Sequence, residues 1–152
     1  MKIEVRRVKS FKGHDGMGFN ADLFVDGVQV AEVIDTAFGG QYEYFWTNKA
    51  NGMEKKLEDY AASLPHLPNE FDKKLYPQDL DSVVARLIDE FESVKQLKRW
   101  CSTKIVYRLK GDKEGMWTTV KGIWKGAEEA WRKSLKKKYG DKLVEIANEQ
   151  FA

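Results

Sequence analysis

The 152 residues match the length of one domain, and 42% hydrophobic content with eight Phe, six Tyr and five Trp excludes a disordered chain and predicts an aromatic core. Cys101 is the single cysteine, and His14 and His66 are the two histidines, which excludes an intramolecular disulfide, a cysteine-rich zinc site and a multi-histidine metal centre. The net charge of +2 excludes little as a total, yet residues 98–138 hold 13 basic side chains against four acidic ones, a local excess that attracts phosphate groups.

The opening "MKIEVRRVKS" alternates charged and apolar residues and lacks the apolar run of a signal peptide. No stretch approaches the roughly 18 apolar residues of a membrane span, so a cytoplasmic protein without a membrane partner is expected. "KIEVRRVKSF" reads as a first strand. The next segment, "FKGHDGMGFN", raises the question of a phosphate cradle because it holds Gly13, Gly16 and Gly18. Their G-x-x-G-x-G spacing is not the dinucleotide fingerprint, no Walker lysine follows, and the motifs that accompany a kinase glycine loop are missing. The spacing predicts a β-connection that needs positive φ, with His14 placed to touch a ligand.

"GFNADLFVDGVQVAEVID" is the clearest local signal, since two alternating runs flank Asp26-Gly27, a dipeptide favoured in type I′ hairpin turns. Pairing Val25 with Val28 sets Leu23 opposite Val30, Ala21 opposite Glu32 and Phe19 opposite Ile34. Asn20, Asp22, Phe24, Gln29, Ala31 and Val33 then form a second, mixed face. Gly39-Gly40 leads into the aromatic "QYEYFWT", a fourth strand. Asn51 and Glu54 make a capping pair for a helix carrying Met53, Leu57, Tyr60, Ala61 and Leu64 at helical spacing. "PHLPNEFDKKLYPQD" contains all three prolines and is expected to be irregular. A longer helix begins near Asp79, with Leu80, Val83, Val84, Leu87, Ile88 and Phe91 as its apolar stripe, and ends or bends near "KQLKRWC".

"TKIVYRL" and "MWTTV" predict a second hairpin joined by "KGDKEG", followed by a basic helix over 126–139 that stops at Gly140. The tail "DKLVEIANEQF" fits either a helix or an edge strand. The order, four strands, two helices, two strands and one helix, is that of an α+β fold. Its mostly antiparallel sheet is built from two hairpins plus flanking strands, packed with about three helices in a single domain over 1–152.

Catalytic constellations are sparse. There is no G-x-S-x-G elbow, Cys101 beside Trp100 reads as a small apolar residue rather than a nucleophile, and no acidic pair is singled out for a carboxylate-only magnesium site. Binding is favoured over catalysis, and no cofactor is called for. The best functional signal is the interleaving of Trp100, Trp117 and Trp124 with Lys98, Arg99, Lys104, Arg108, Lys121 and Lys125, because aromatic rings stack bases while cations neutralise phosphates. The candidate ligand-binding set is Arg99, Trp100, Lys104, Arg108, Trp117 and Lys121, with His14. "RKSLKKKYG" reads instead as a solvated helix end, where cations suit the macrodipole.

Three segments, "GFNADLFVDGVQVAEVIDTAFGGQYEY", "LKRWCSTKIVYRLKGDKEGMWTTVKG" and "KYGDKLVEIANEQF", together resemble a family of small uncharacterised proteins encoded by phages, prophages and bacterial genomes. The chain departs from the family before the Gly-Gly turn, where Asp35-Thr36-Ala37-Phe38 stands in place of a polar Asn-Asp-Gly. The resemblance implies a phage setting in a bacterial host cell and brings no catalytic motif. In that setting the expected function is a non-catalytic binding protein that counters host defence, by sequestering a nucleotide signal or blocking a defence protein. Arg99, Lys104 or Arg108 would hold the phosphate. One rival is a nucleic-acid-binding protein using the basic, Trp-rich second half, with steep salt dependence. Another is a nucleotide-degrading phosphodiesterase with a carboxylate-bound metal. Two hairpins with free edges also fit a homodimer.

Overall fold

A computed structural model describes residues 1–47 and 50–151. Among these residues, nine strands in antiparallel ladders and three α-helices make the expected α+β fold. The chain forms two compact units, Met1–Phe91 and Glu92–Ala152. They differ in charge: the first carries 11 basic and 16 acidic side chains, the second 15 basic and eight acidic.

In the first unit, β1 (Ile3–Gly13), β2 (Gly16–Val25), β3 (Val28–Asp35) and β4 (Glu43–Trp46) form one sheet in chain order. Asp26 (φ 50°) and Gly27 (φ 83°) both take the left-handed conformation that a type I′ turn demands, and Val25 pairs with Val28 as predicted. Beyond the turn a bulge corrects the expected register. After Phe24 opposite Gln29, Leu23 faces Ala31, Ala21 faces Val33 and Phe19 faces Asp35. One extra residue thereby moves Ala31 and Val33 into the core with Val30 and leaves Glu32 in solvent, where strict alternation would have buried a carboxylate.

A second bulge interrupts β1 between Arg6 and Lys9. Alternation from Ile3 and Val5 would carry Arg7 inward. Arg7 instead takes φ 52°, its guanidinium pairs with Asp22 and with Gln29 Oε1 at 3.0 Å, and Val8 enters the core. Charged residues and a bulge on this strand also discourage edge-to-edge pairing.

The glycine-rich segment is a hairpin turn, His14-Asp15, with Gly13 opposite Gly16. Two of its glycines serve packing. A methyl group on Gly13 would lie 2.2 Å from Ala37 Cβ, and one on Gly18 would lie 2.4 Å from the Asp35 carbonyl oxygen. The Asp15 N–H donates to the Ala37 carbonyl at 2.7 Å, which holds the 35–40 loop against the turn.

Helix α1 (Met53–Ser63) buries Leu57 and Ala61. Its N-cap is Gly52 at φ 74° with no side-chain cap, so the expected Asn51–Glu54 pair does not form. Helix α2 (Leu80–Cys101) begins after Asp79, whose Oδ1 accepts the Ser82 N–H at 2.8 Å, and sends Leu80, Val84, Ile88 and Phe91 to the same core as the sheet. The Tyr44 hydroxyl donates to Asp81 Oδ1 at 2.6 Å and the Tyr42 N–H to Oδ2 at 2.9 Å, tying β4 to the first turn of α2. Between the helices, where an irregular connection is expected, β5 (Leu67–Pro68) and β6 (Leu75–Tyr76) pair as a small hairpin.

In the second unit, β7 (Lys104–Leu109) lies between β8 (Thr118–Lys121) and β9 (Leu143–Ile146). Helix α3 (Glu128–Tyr139) stops at Gly140 (φ 55°) as expected, and the ambiguous tail resolves into β9 followed by a 3-10 turn, Ala147–Phe151. The two faces of β7 are packed differently. Ile105 and Tyr107 meet Trp124, Leu135 and Ile146, whereas Val106 meets Leu97 and Ala147, flanked by Trp100, Cys101, Trp117 and Phe151. No helix among the described residues is long and apolar enough to cross a membrane.

Candidate ligand-binding cavity

The second unit contains a cavity of about 510 Å³. Lys98, Cys101 and Ser102 reach it from the end of α2, Ile123, Trp124, Lys125 and Glu128 from the approach to α3, and Asn148 and Phe151 from the tail. The local sequence explains how these segments meet. Gly122 has no side chain because the Trp131 ring occupies that space, only 2.4 Å from where a Cβ would lie, and the Trp131 indole N–H donates to the Ile123 carbonyl at 3.0 Å. Those two contacts set the path of residues 122–125. Asn148, only 2% exposed, fixes the tail: its Oδ1 accepts the Val106 N–H at 2.8 Å, while Nδ2 donates to the carbonyls of Lys104 (2.9 Å) and Cys101 (3.2 Å).

The lining combines two cations, an apolar floor and an acceptor. Lys98 and Lys125 supply positive charge, and Ile123, Trp124 and Phe151 supply apolar surface. Glu128 stays ionised, because the backbone N–H groups of its own residue and of Gly126 hold its carboxyl below the usual range. Burial pushes the Cys101 thiol up, which makes it a poor nucleophile at neutral pH. Trp124 is 6% exposed with the Arg132 guanidinium 5.2 Å from its ring centroid, and Arg132 is itself paired with Glu129 and Glu149. The Trp124 indole N–H is buried with no acceptor within the protein. An unpaired buried donor costs roughly 1–3 kcal/mol.

None of the seven residues in the candidate ligand-binding set lines this cavity. Arg108 pairs with Glu145 at 3.0 Å, with its guanidinium 6.0 Å from the Trp117 ring centroid, so these two meet and the cation is already neutralised. Trp100 and Trp117 are partly buried against Val106 and Leu97, which is a packing role. Lys104 and Lys121 face each other across the β7–β8 ladder, and Arg99 is exposed in the last turn of α2. His14 belongs to the first unit, where it stacks on Phe38 with ring centroids 6.0 Å apart. Lys98, Trp124 and Lys125, all in the interleaved basic and aromatic pattern, do line the cavity. Asn148 and Phe151 were passed over. Their one sequence signal is a polar Asn at the end of the apolar run "LVEIA".

Among the described residues, no group of three His, Cys, Asp or Glu side chains is arranged to hold a metal ion. No protein-family model, curated protein or solved structure matches the chain.

Proposed function

We propose that the second unit binds a small anionic ligand of nucleotide type in the cavity beside Trp124 and holds it without turnover. In the phage setting that the family resemblance implies, the binder sequesters a nucleotide signal of host defence. The observation that carries this reading is the cavity wall itself, where Lys98 and Lys125 stand beside the apolar surface of Ile123, Trp124 and Phe151. The volume falls in the range of small-molecule sites, and the unit's 15 basic side chains against eight acidic ones favour an anion. Phosphate would take charge-assisted hydrogen bonds from Lys98 and Lys125, an aromatic base would lie on the apolar floor, and Glu128 would accept from sugar hydroxyls or an amino group.

Native mass spectrometry with a panel of cyclic, cyclic-dinucleotide and ADP-ribose-derived nucleotides tests this. The expected result is one unaltered nucleotide bound per chain, weakened at least about 100-fold by Lys98→Glu with Lys125→Glu, since each lost charge-assisted bond is worth roughly 1.5–3 kcal/mol. The pair Arg99→Ala with Arg108→Ala, outside the lining, is expected to bind as the wild type does. Equal binding by the Lys98/Lys125 variant, or loss of binding in the Arg99/Arg108 variant, would move the site; a hydrolysed nucleotide would show an enzyme.

A further inference from the structure

We propose that the face of the β7–β8 hairpin shared by Lys104, Thr119 and Lys121 binds the sugar-phosphate backbone of single-stranded nucleic acid. None of these residues lines the cavity, so the inference stands apart from the nucleotide reading. Its first support is composition. The last turn of α2 with β7, residues 98–109, and β8 with its flanks, residues 116–125, hold six basic side chains and no acidic one. The turn between them, 110–115, holds Lys110, Lys113, Asp112 and Glu114 and nets zero, and Asp112 is turned back to accept the Leu109 N–H at 2.9 Å.

Strand register gathers the charge on one face. Lys104 pairs with Lys121 and Val106 with Thr119, so alternation sets Lys104, Val106 and Arg108 on one side of β7 with Thr119 and Lys121 beside them on β8. The two ends of this face differ. At one end Arg108 meets Glu145 at 3.0 Å, its guanidinium 6.0 Å from the half-buried Trp117 ring, and the charges cancel. At the other end Lys104 directly faces Lys121, and among the described residues neither is in an ion pair. Like charges directly opposite each other weaken a ladder, so stability of the sheet does not account for this pair. A bound anion offsets the repulsion. The face is also open: β8 is the outer strand, Thr119 and Lys121 are exposed, and Arg99 is exposed in the turn that leads into β7.

The arrangement of charge and ring names the occupant. Trp117 and Lys121 are four residues apart along β8, about 13 Å at strand spacing, which suits a base stacked at one end and phosphates held at the other. An anionic lipid surface calls instead for apolar side chains that enter the headgroups beside the cations, or for a denser polybasic cluster. On this face Val106 is fully buried, and the exposed apolar residue of β8, Val120, pairs with Ile105 and points to the opposite side.

Fluorescence anisotropy of a labelled oligothymidylate of about 12 nucleotides, titrated with the full chain, tests this. Affinity is expected to fall with salt at a log–log slope of about −2, the value for Arg99, Lys104 and Lys121 on a single strand. Lys104→Ala with Lys121→Ala should weaken binding at least about tenfold and bring the slope to about −0.7. Thr119→Glu, which sets a carboxylate on the cationic face, should weaken binding as well. Val120→Glu, the same change of charge on the opposite face, should leave affinity within about twofold of the wild type. Melting curves check that each variant is folded. Any of five results would overturn the proposal: no binding at about 50 mM salt, an unchanged slope in the double-lysine variant, equal losses from Thr119→Glu and Val120→Glu, displacement by polyglutamate as effective as by unlabelled oligonucleotide, or Lys121-dependent sedimentation with phosphatidylcholine–phosphatidylglycerol vesicles.

Discussion

The side chain of Asn148 stands in for a strand at Val106, its Oδ1 accepting the backbone N–H at 2.8 Å inside the second unit's core. Through Nδ2 the same amide satisfies two carbonyls, those of Cys101 and Lys104. Replacing it takes the partner from one buried N–H and two part-buried carbonyls, so Asn148→Ala is expected to lose about 3 kcal/mol of stability. Urea denaturation reads this as a lower midpoint at unchanged slope. Asn148→Asp should be worse at neutral pH, because a carboxylate would face two acceptors, and should recover as acid restores a donor. A wild-type midpoint for Asn148→Ala would show that the tail is seated by apolar packing alone.

Gly13 and Ala37 form a pair whose side-chain volumes cannot both be present. Gly13→Ala would place two Cβ atoms 2.2 Å apart and is expected to destabilise by about 1–3 kcal/mol. Ala37 takes φ 61°, a conformation glycine adopts freely, so Ala37→Gly removes both the clash and the backbone strain. The double variant should therefore be more stable than Gly13→Ala. Additive losses in the double-mutant cycle would refute this contact.

The hydroxyls of Tyr107 and Tyr139 are 2.8 Å apart and titrate as a pair. Burial, with the bond to Tyr139, pushes Tyr107 up to about 12 from 10.0, while the Tyr107 hydroxyl and Lys138 lower Tyr139. The folded state retains the Tyr107 proton longer than the unfolded chain does. Its contribution to stability is thus complete below pH 10 and is lost as pH rises through about 12. Ultraviolet titration of the phenols should show one early and one late step from this pair, and Tyr107→Phe should remove the late one and return the Tyr139 step toward the ordinary range. Part of the alkaline loss will persist in that variant, because burial and Asp81 raise Tyr44 as well.

Cys101 offers a footprint of the cavity. With its thiol pushed up by burial, labelling by a disulfide reagent at pH 7 is expected to be slower than for a free thiol and to accelerate in urea. A nucleotide in the cavity should slow it further, since Cys101 is on the wall. Labelling at the rate of a free thiol, unaffected by ligand, would contradict the geometry.

The parts of the fold legible in the sequence are those decided by neighbours along the chain. Asp26-Gly27 carries its own turn chemistry, the stripe from Leu80 to Phe91 repeats at helical spacing, and Gly140 ends α3 wherever the helix packs. The two bulges were not legible. Arg7 and Val30 leave the strict alternation only because Val8 and Ala31 reach the core by doing so, a choice settled by distant residues. Asn51 has the chemistry of a cap, yet Gly52 takes the position.

The site divides along the same line. Composition alone showed a basic, aromatic second half, and Lys98, Trp124 and Lys125 were visible within it. Which cations remain available is a question of cross-strand partners: Arg108 is consumed by Glu145, 37 residues away, while Lys98 and Lys125 meet at one cavity through α2 and the approach to α3. By itself the sequence determined the elements, their turns and the sign of each region's charge, because these depend on local conformation and composition. Only the tertiary structure decided which side chains converge, which charges cancel and which donors are left without an acceptor, because these depend on contacts between segments far apart in the chain.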